Sequence, residues 1–236
     1  MKTRKYLSCA LQVIVAVCSA AGIILTTMLA GNDFMGGATT FLYFTIQSNI
    51  WIGVTCLIFA ACNIICLIRR GDNASFPAWA YVIKYVFTVS ITLTGIVFCF
   101  VLAPTMPGAF SSAANVLTHV VVPVAAVADL FIGTSIRLKT INFLWALIPP
   151  VYYVLFAATG FVCNWDFGGG NNYPYFFLNW NSPAGAFGFA DGMYFMGSFY
   201  WVIVLLAFIS AMSIGYIELM RKTAFPQSAA ADSNAQ

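Results

Sequence analysis

Charge is what this sequence has least of. Only 7% of its 236 residues are Asp, Glu, Lys or Arg, against about 25% in a soluble domain. That scarcity excludes an ordinary water-soluble domain, and the few cations form no nucleic-acid-binding patch. Histidine occurs once, at position 119, which excludes haem held between two histidines. The seven cysteines stand at 9, 18, 56, 62, 66, 99 and 163, with no paired spacing of the kind a zinc site needs. A phosphate-cradling glycine loop, a dinucleotide fingerprint and a transporter-type internal repeat are also missing. No cofactor and no metal is expected.

What is present is apolar length. The chain is 61% hydrophobic and 17% aromatic, with a mean hydropathy of +0.90. Runs of about 20 apolar residues, enough to cross a bilayer, recur along it. The expected fold class is all-α: a polytopic bundle of six transmembrane helices over 6–30, 39–68, 80–103, 112–134, 141–163 and 194–217. The N-terminus imitates a signal peptide, but its apolar core exceeds the usual h-region and reads as a retained first span. Residues 1–223 then form one domain, with 224–236 a polar, Ala/Ser-rich tail expected to be disordered.

The cations orient this bundle. Lys2, Arg4, Lys5, Arg69, Arg70, Lys84, Arg137, Lys139, Arg221 and Lys222 are all ten of them, and alternate loops place every one on one side. Both termini are expected in the cytoplasm, in a cell membrane. Lys84 is expected at the membrane edge, its stem snorkelling outward; six spans and no deeper lysine also exclude a retinal protein. Glu218 is expected to pair with Arg221, at i+3. Cys99 and Cys163 both fall near outer helix ends, which leaves a disulfide open.

Polar residues within spans are few and therefore informative. The stretch FTIQSN carries Thr45, Ser48 and Asn49 on one helical face, continued by Cys56 and Asn63. Span three repeats the spacing with Thr88, Thr92, Gly95 and Cys99, and such stripes face protein rather than lipid. Thr45 lies about six residues into span two and His119 about seven into span four, matching depths of about 9–10 Å. Asp129 is about 15 Å deeper than His119, near Arg137 and Lys139.

Hydroxyl activation fits that pattern. A threonine becomes a nucleophile when a base within about 2.6–3.2 Å takes its proton, and neutral imidazole suits the task. Ser48 or Asn49, one turn away, would donate to the oxyanion. A cavity at that depth is reached from lipid, so the expected partner is an acyl ester drawn from the bilayer. The plainer alternative is that these side chains bond their own carbonyls or a neighbouring helix, and that His119 serves carbonyls freed by Pro123. A transporter, channel or lipid-binding protein using His119 and Asp129 in a proton or solute path is the rival from another class. The oligomeric state is open.

Four stretches together resemble the androgen-induced-protein superfamily, in its prokaryotic membrane-protein branch: FTIQSN at 44–49, H-x3-P-x5-D at 119–129, W-x3-P-x2-Y at 145–152 and YPYFFLN at 173–179. Vertebrate members are intramembrane threonine hydrolases of fatty acid esters of hydroxy fatty acids. The resemblance implies Thr45 as nucleophile and His119 as its partner, with Asp129 matching the family's acid. The aromatic loop belongs to the microbial branch, where an acid is frequent at its last position; here that position is Asn179. Tyr173, Tyr175 and Phe176 are expected to form a lid over the cavity, hinged at Gly168-Gly169-Gly170, or an interfacial aromatic belt.

Overall fold

Helix ends in this chain follow local chemistry. The computed structural model describes residues 2–28, 37–71 and 74–224; the tail from 225, most of the first connection and residues 72 and 73 lie outside them. Helix α1 spans Lys2–Met28 and α2 spans Phe44–Arg70. Gly71 stops α2 in a left-handed conformation, φ 70°, its N–H bonded to the Leu67 carbonyl, an end that glycine adopts without steric cost. Helix α3, Ala78–Val97, starts after Pro77, where proline sets the approach and needs no donor.

Span four is not a continuous α-helix. It comprises α4 (Ala113–Val116), a π-turn over Leu117–Val121 and α5 (Val122–Gly133). Proline at 123 would clash with the carbonyl four residues back, that of His119, in regular α-geometry. The wider turn precedes it. Span three ends in a second π-turn, Phe98–Leu102, before Pro104. Span five is divided at Leu147 into α6 (Phe143–Ala146) and α7 (Ile148–Val162), with Pro149 and Pro150 in the first turn of α7. The last helix, α8, runs Ser198–Ala224.

Six helices are long and apolar enough to span a membrane, and among the described residues there is no strand. Their outward side chains, such as Val54, Leu57, Ile58, Leu155, Ile203 and Val204, are exposed and apolar. A surface of that kind suits lipid and not water. The fold is that of a multi-pass membrane protein. Helix α3 is central: half of its most apolar stretch is buried, against 17% for α8. It packs on α2 and α5 on one side and on α6, α7 and α8 on the other. Arg4 bonds the carbonyls of Phe131 and Ile132, and Arg221 that of Leu138, so these cations share one end of the bundle. Arg221 also pairs with Glu218, as the i+3 spacing predicts.

One expectation changes at this level and one open alternative closes. Span two begins at 44 and not at 39, because Gly37–Leu42 is a 3-10 turn ending in extended Tyr43. Thr45 is thus the second residue of its helix, beneath a roof made by the 164–193 loop rather than a helical turn deep in lipid. All seven cysteines, Cys99 and Cys163 included, are free thiols.

Candidate functional site

Thr45 and His119 meet. The Thr45 hydroxyl lies 3.4 Å from His119 Nε2, and the two residues are 7% and 8% exposed. The proton on the ring is placed by the other nitrogen. His119 Nδ1 is 3.0 Å from the Asn115 carbonyl and 3.0 Å from Thr118 Oγ1. A carbonyl can only accept, and Thr118 already donates to the Ala114 carbonyl at 2.8 Å. Nδ1 therefore carries the hydrogen in neutral imidazole, and Nε2 turns a bare lone pair to Thr45. A backbone carbonyl here orients the ring as a carboxylate does in serine hydrolases.

The ring plane is also held. Phe98 stacks on His119 with centroids 3.7 Å apart and planes 17° from parallel. Each partner comes from one of the two π-turns, a distortion that recurs at functional sites. Gly95 lets the helices close on one another there: a Cβ at 95 would stand 2.8 Å from the His119 carbonyl and 3.1 Å from Pro123 Cγ. The sequence reading missed Asn115 and Thr118, although their spacing of four and one from His119 on one helix is a signal that could have found them. Nothing in the sequence indicates Phe98.

Ser48 and Asn49 share the face of Thr45, yet they are committed elsewhere. Ser48 Oγ is divided between the Thr45 carbonyl at 3.0 Å and Thr94 at 2.8 Å. Asn49 spends both amide hydrogens, on the carbonyls of Thr45 (2.8 Å) and Thr118 (3.2 Å). They fasten α2 to its neighbours, and neither has a hydrogen for an oxyanion. The partner on α3 is Thr94 and not the Thr88–Thr92 row, since the central helix is buried on most of its faces.

Asp129 stands apart from this site. It pairs not with Arg137 or Lys139 but with Lys84, Nζ to Oδ2 2.5 Å, both side chains fully buried. Ser8 and Gln12 donate to its other oxygen at 2.7 and 3.2 Å, and Asn63 extends the network through Gln12. Lys84 does not snorkel, because Asp129 on α5 supplies the counter-charge and the Phe59 ring on α2 lies under its ammonium group. Between this cluster and His119 lies an apolar layer of Val15, Ile52, Ile91 and Val122, each fully buried.

Two cavities adjoin Thr45. One, of about 70 Å³, is walled by Phe44, Leu93, Val97, Tyr153, Phe177 and Leu205 among others. The second, of about 490 Å³, contains His119, Phe98, Asn115, Pro174 and Phe176. Thr45 and Tyr175 line both. The loop therefore covers the site through Tyr175 and Phe176, whereas Tyr173 lines neither cavity. Gly168, Gly169 and Gly170 take positive φ, and the N–H groups of 168 and 170 cup the Asp166 carboxylate. Tyr43 grips the Phe167 carbonyl beside them at 2.6 Å. That segment is a fastened turn and not an open hinge. Asn179 likewise forms a turn, accepting from the Asn181 N–H at 3.0 Å.

Among the described residues, no three His, Cys, Asp or Glu side chains group as metal ligands. No protein-family model matches this chain, and neither does any curated protein or solved structure. The geometry itself carries the chemistry.

Proposed function

We propose that this chain is an intramembrane hydrolase of acyl ester lipids, with Thr45 as nucleophile and His119 as base. The observation that carries the reading is the buried Thr45–His119 pair, with Nδ1 tied to the Asn115 carbonyl and Nε2 free to accept. A separation of 3.4 Å is loose for proton transfer, as unliganded sites commonly are. The resemblance to threonine hydrolases of fatty acid esters of hydroxy fatty acids supports the same assignment and the substrate class.

The reaction runs in two halves. Thr45 Oγ bonds to the ester carbonyl carbon while its proton passes to Nε2. The tetrahedral adduct collapses, the C–O bond to the alcohol breaks, and His119 returns the proton to the departing alkoxide. A water then gives its proton to Nε2 and attacks the acyl-threonine; collapse releases the fatty acid and restores the hydroxyl. Lipid enters from the bilayer of a cell membrane, with both termini in the cytoplasm as the cation bias indicates. A proton path from His119 to Asp129 would have to cross the buried apolar layer of Val15, Ile52, Ile91 and Val122, which favours the hydrolase.

The test is turnover of p-nitrophenyl fatty acid esters, and labelling by a fluorophosphonate, in detergent-purified wild type, Thr45→Ala and His119→Ala. Wild type should react and both variants should not. The double variant should lose no more than either single one, because nucleophile and base act as a unit. Full turnover in either single variant overturns the assignment.

A further inference from the structure

The oxyanion has no donor in Ser48 or Asn49, whose hydrogens are spent. The loop supplies one instead. We infer that Tyr175 is a catalytic residue, its phenol O–H donating to the oxyanion that forms when Thr45 attacks an ester carbonyl; the inference rests on the hydrolase reading above.

Three observations place it there. As the second residue of α2, Thr45 has a backbone N–H with no partner inside the helix, whereas those of Ile46 and Gln47 both bond the Tyr43 carbonyl. That N–H points to Tyr175 Oη at 3.5 Å, so the phenol oxygen accepts and its own hydrogen is left to donate. A phenol beside the N–H of the nucleophile's own residue stands beside the point where the new oxyanion appears. Finally, Tyr175 and Thr45 both line the small apolar cavity and the larger one containing His119. An ester with one arm in each would set its carbonyl at this junction.

The ring cannot easily swing away. Tyr43 meets it edge-on at 5.7 Å and Phe177 stacks on it at 5.1 Å. Burial raises the phenol above its ordinary pKa, so it stays protonated at neutral pH, as a donor must. In the adduct, the Thr45 N–H, turned from the phenol oxygen, and the Tyr175 O–H would both donate to the oxyanion, in the manner of paired donors in acyl transfer.

The experiment compares Tyr175→Phe with wild type on p-nitrophenyl fatty acid esters, and measures binding of a non-hydrolysable ether analogue. Loss of one oxygen should lower kcat about 100-fold or more, with KM and analogue affinity within about threefold of wild type. Incorporation of 3-fluorotyrosine at 175, which keeps the ring and the hydroxyl, serves where Tyr175→Phe does not fold; it should move the alkaline limb of the kcat–pH profile to lower pH. Tyr175→Phe with wild-type kcat, or an alkaline limb that stays in place, overturns the inference while Thr45→Ala remains dead. A Thr45→Ala variant that turns over at the wild-type rate overturns the hydrolase reading instead.

Discussion

Lys84 and Asp129 form an ion pair, Nζ to Oδ2 2.5 Å, with no exposed side-chain surface on either partner. Each reached that position on a different helix, and each brings a charge that lipid would reject alone. Breaking such a pair strands the remaining charge, at a cost of about 3–5 kcal/mol. Lys84→Met and Asp129→Leu should therefore each lower the unfolding midpoint in detergent sharply. The double variant, apolar on both sides, should recover much of the loss. If the single variants melt with wild type, the pair holds nothing together.

Phe98 sets the plane of the His119 ring by stacking at 3.7 Å. Phe98→Leu keeps the site apolar but removes the flat partner, so the ring is free to tilt from Thr45. Misplacement of about 1 Å costs up to about 100-fold in rate. We expect ester turnover reduced about 10–100-fold at unchanged KM, in steady-state assays of a variant that purifies normally. Wild-type kcat would show that the ring needs no such support.

Gly95 and Gly215 make a matched pair of glycine tests. A methyl at 95 meets the His119 carbonyl at 2.8 Å and Pro123 at 3.1 Å, while at 215 it meets nothing within 4 Å. Gly95→Ala should destabilise by about 1–3 kcal/mol through overpacking and depress activity by pushing His119 away. Gly215→Ala should be neutral or stabilising by up to about 1 kcal/mol, since alanine favours helix. Thermal melts of the two proteins decide this, and equal shifts would refute it.

The 164–193 loop separates in the same way. Phe176 lines the larger cavity and Tyr173 does not. Phe176→Ala should change the preferred acyl chain length of the ester series, with little effect on the best substrate's kcat. Tyr173→Ala should leave the series as it is. Identical profiles for wild type and Phe176→Ala would return the segment to an interfacial belt.

Cys163 is exposed, next to the 164–193 loop, as a free thiol. An impermeant maleimide should label it in intact cells, and Cys163→Ser should abolish that signal. Labelling only after lysis would invert the proposed topology.

Much of this architecture is a local property of the sequence. Hydropathy summed over some 20 residues locates six spans, because crossing lipid requires continuous apolar length with an internally bonded backbone. Cations cluster at one end for a reason equally local, the cost of moving each through the bilayer. The spacing of Thr45, Ser48 and Asn49 is legible as one face, and all three are buried. Which of them does what is not legible, because it depends on rotation and approach between helices. Only the fold shows that Asn49 and Ser48 spend their hydrogens on Thr45, Thr94 and Thr118 carbonyls and hydroxyls, or that Lys84 turns inward to Asp129. The two π-turns, each ahead of a proline, bring Phe98 against His119, and the bare Cα of Gly95 admits that contact. Tyr175 lies 130 residues from Thr45, so no helical periodicity links them; a loop closing over the mouth of the bundle does.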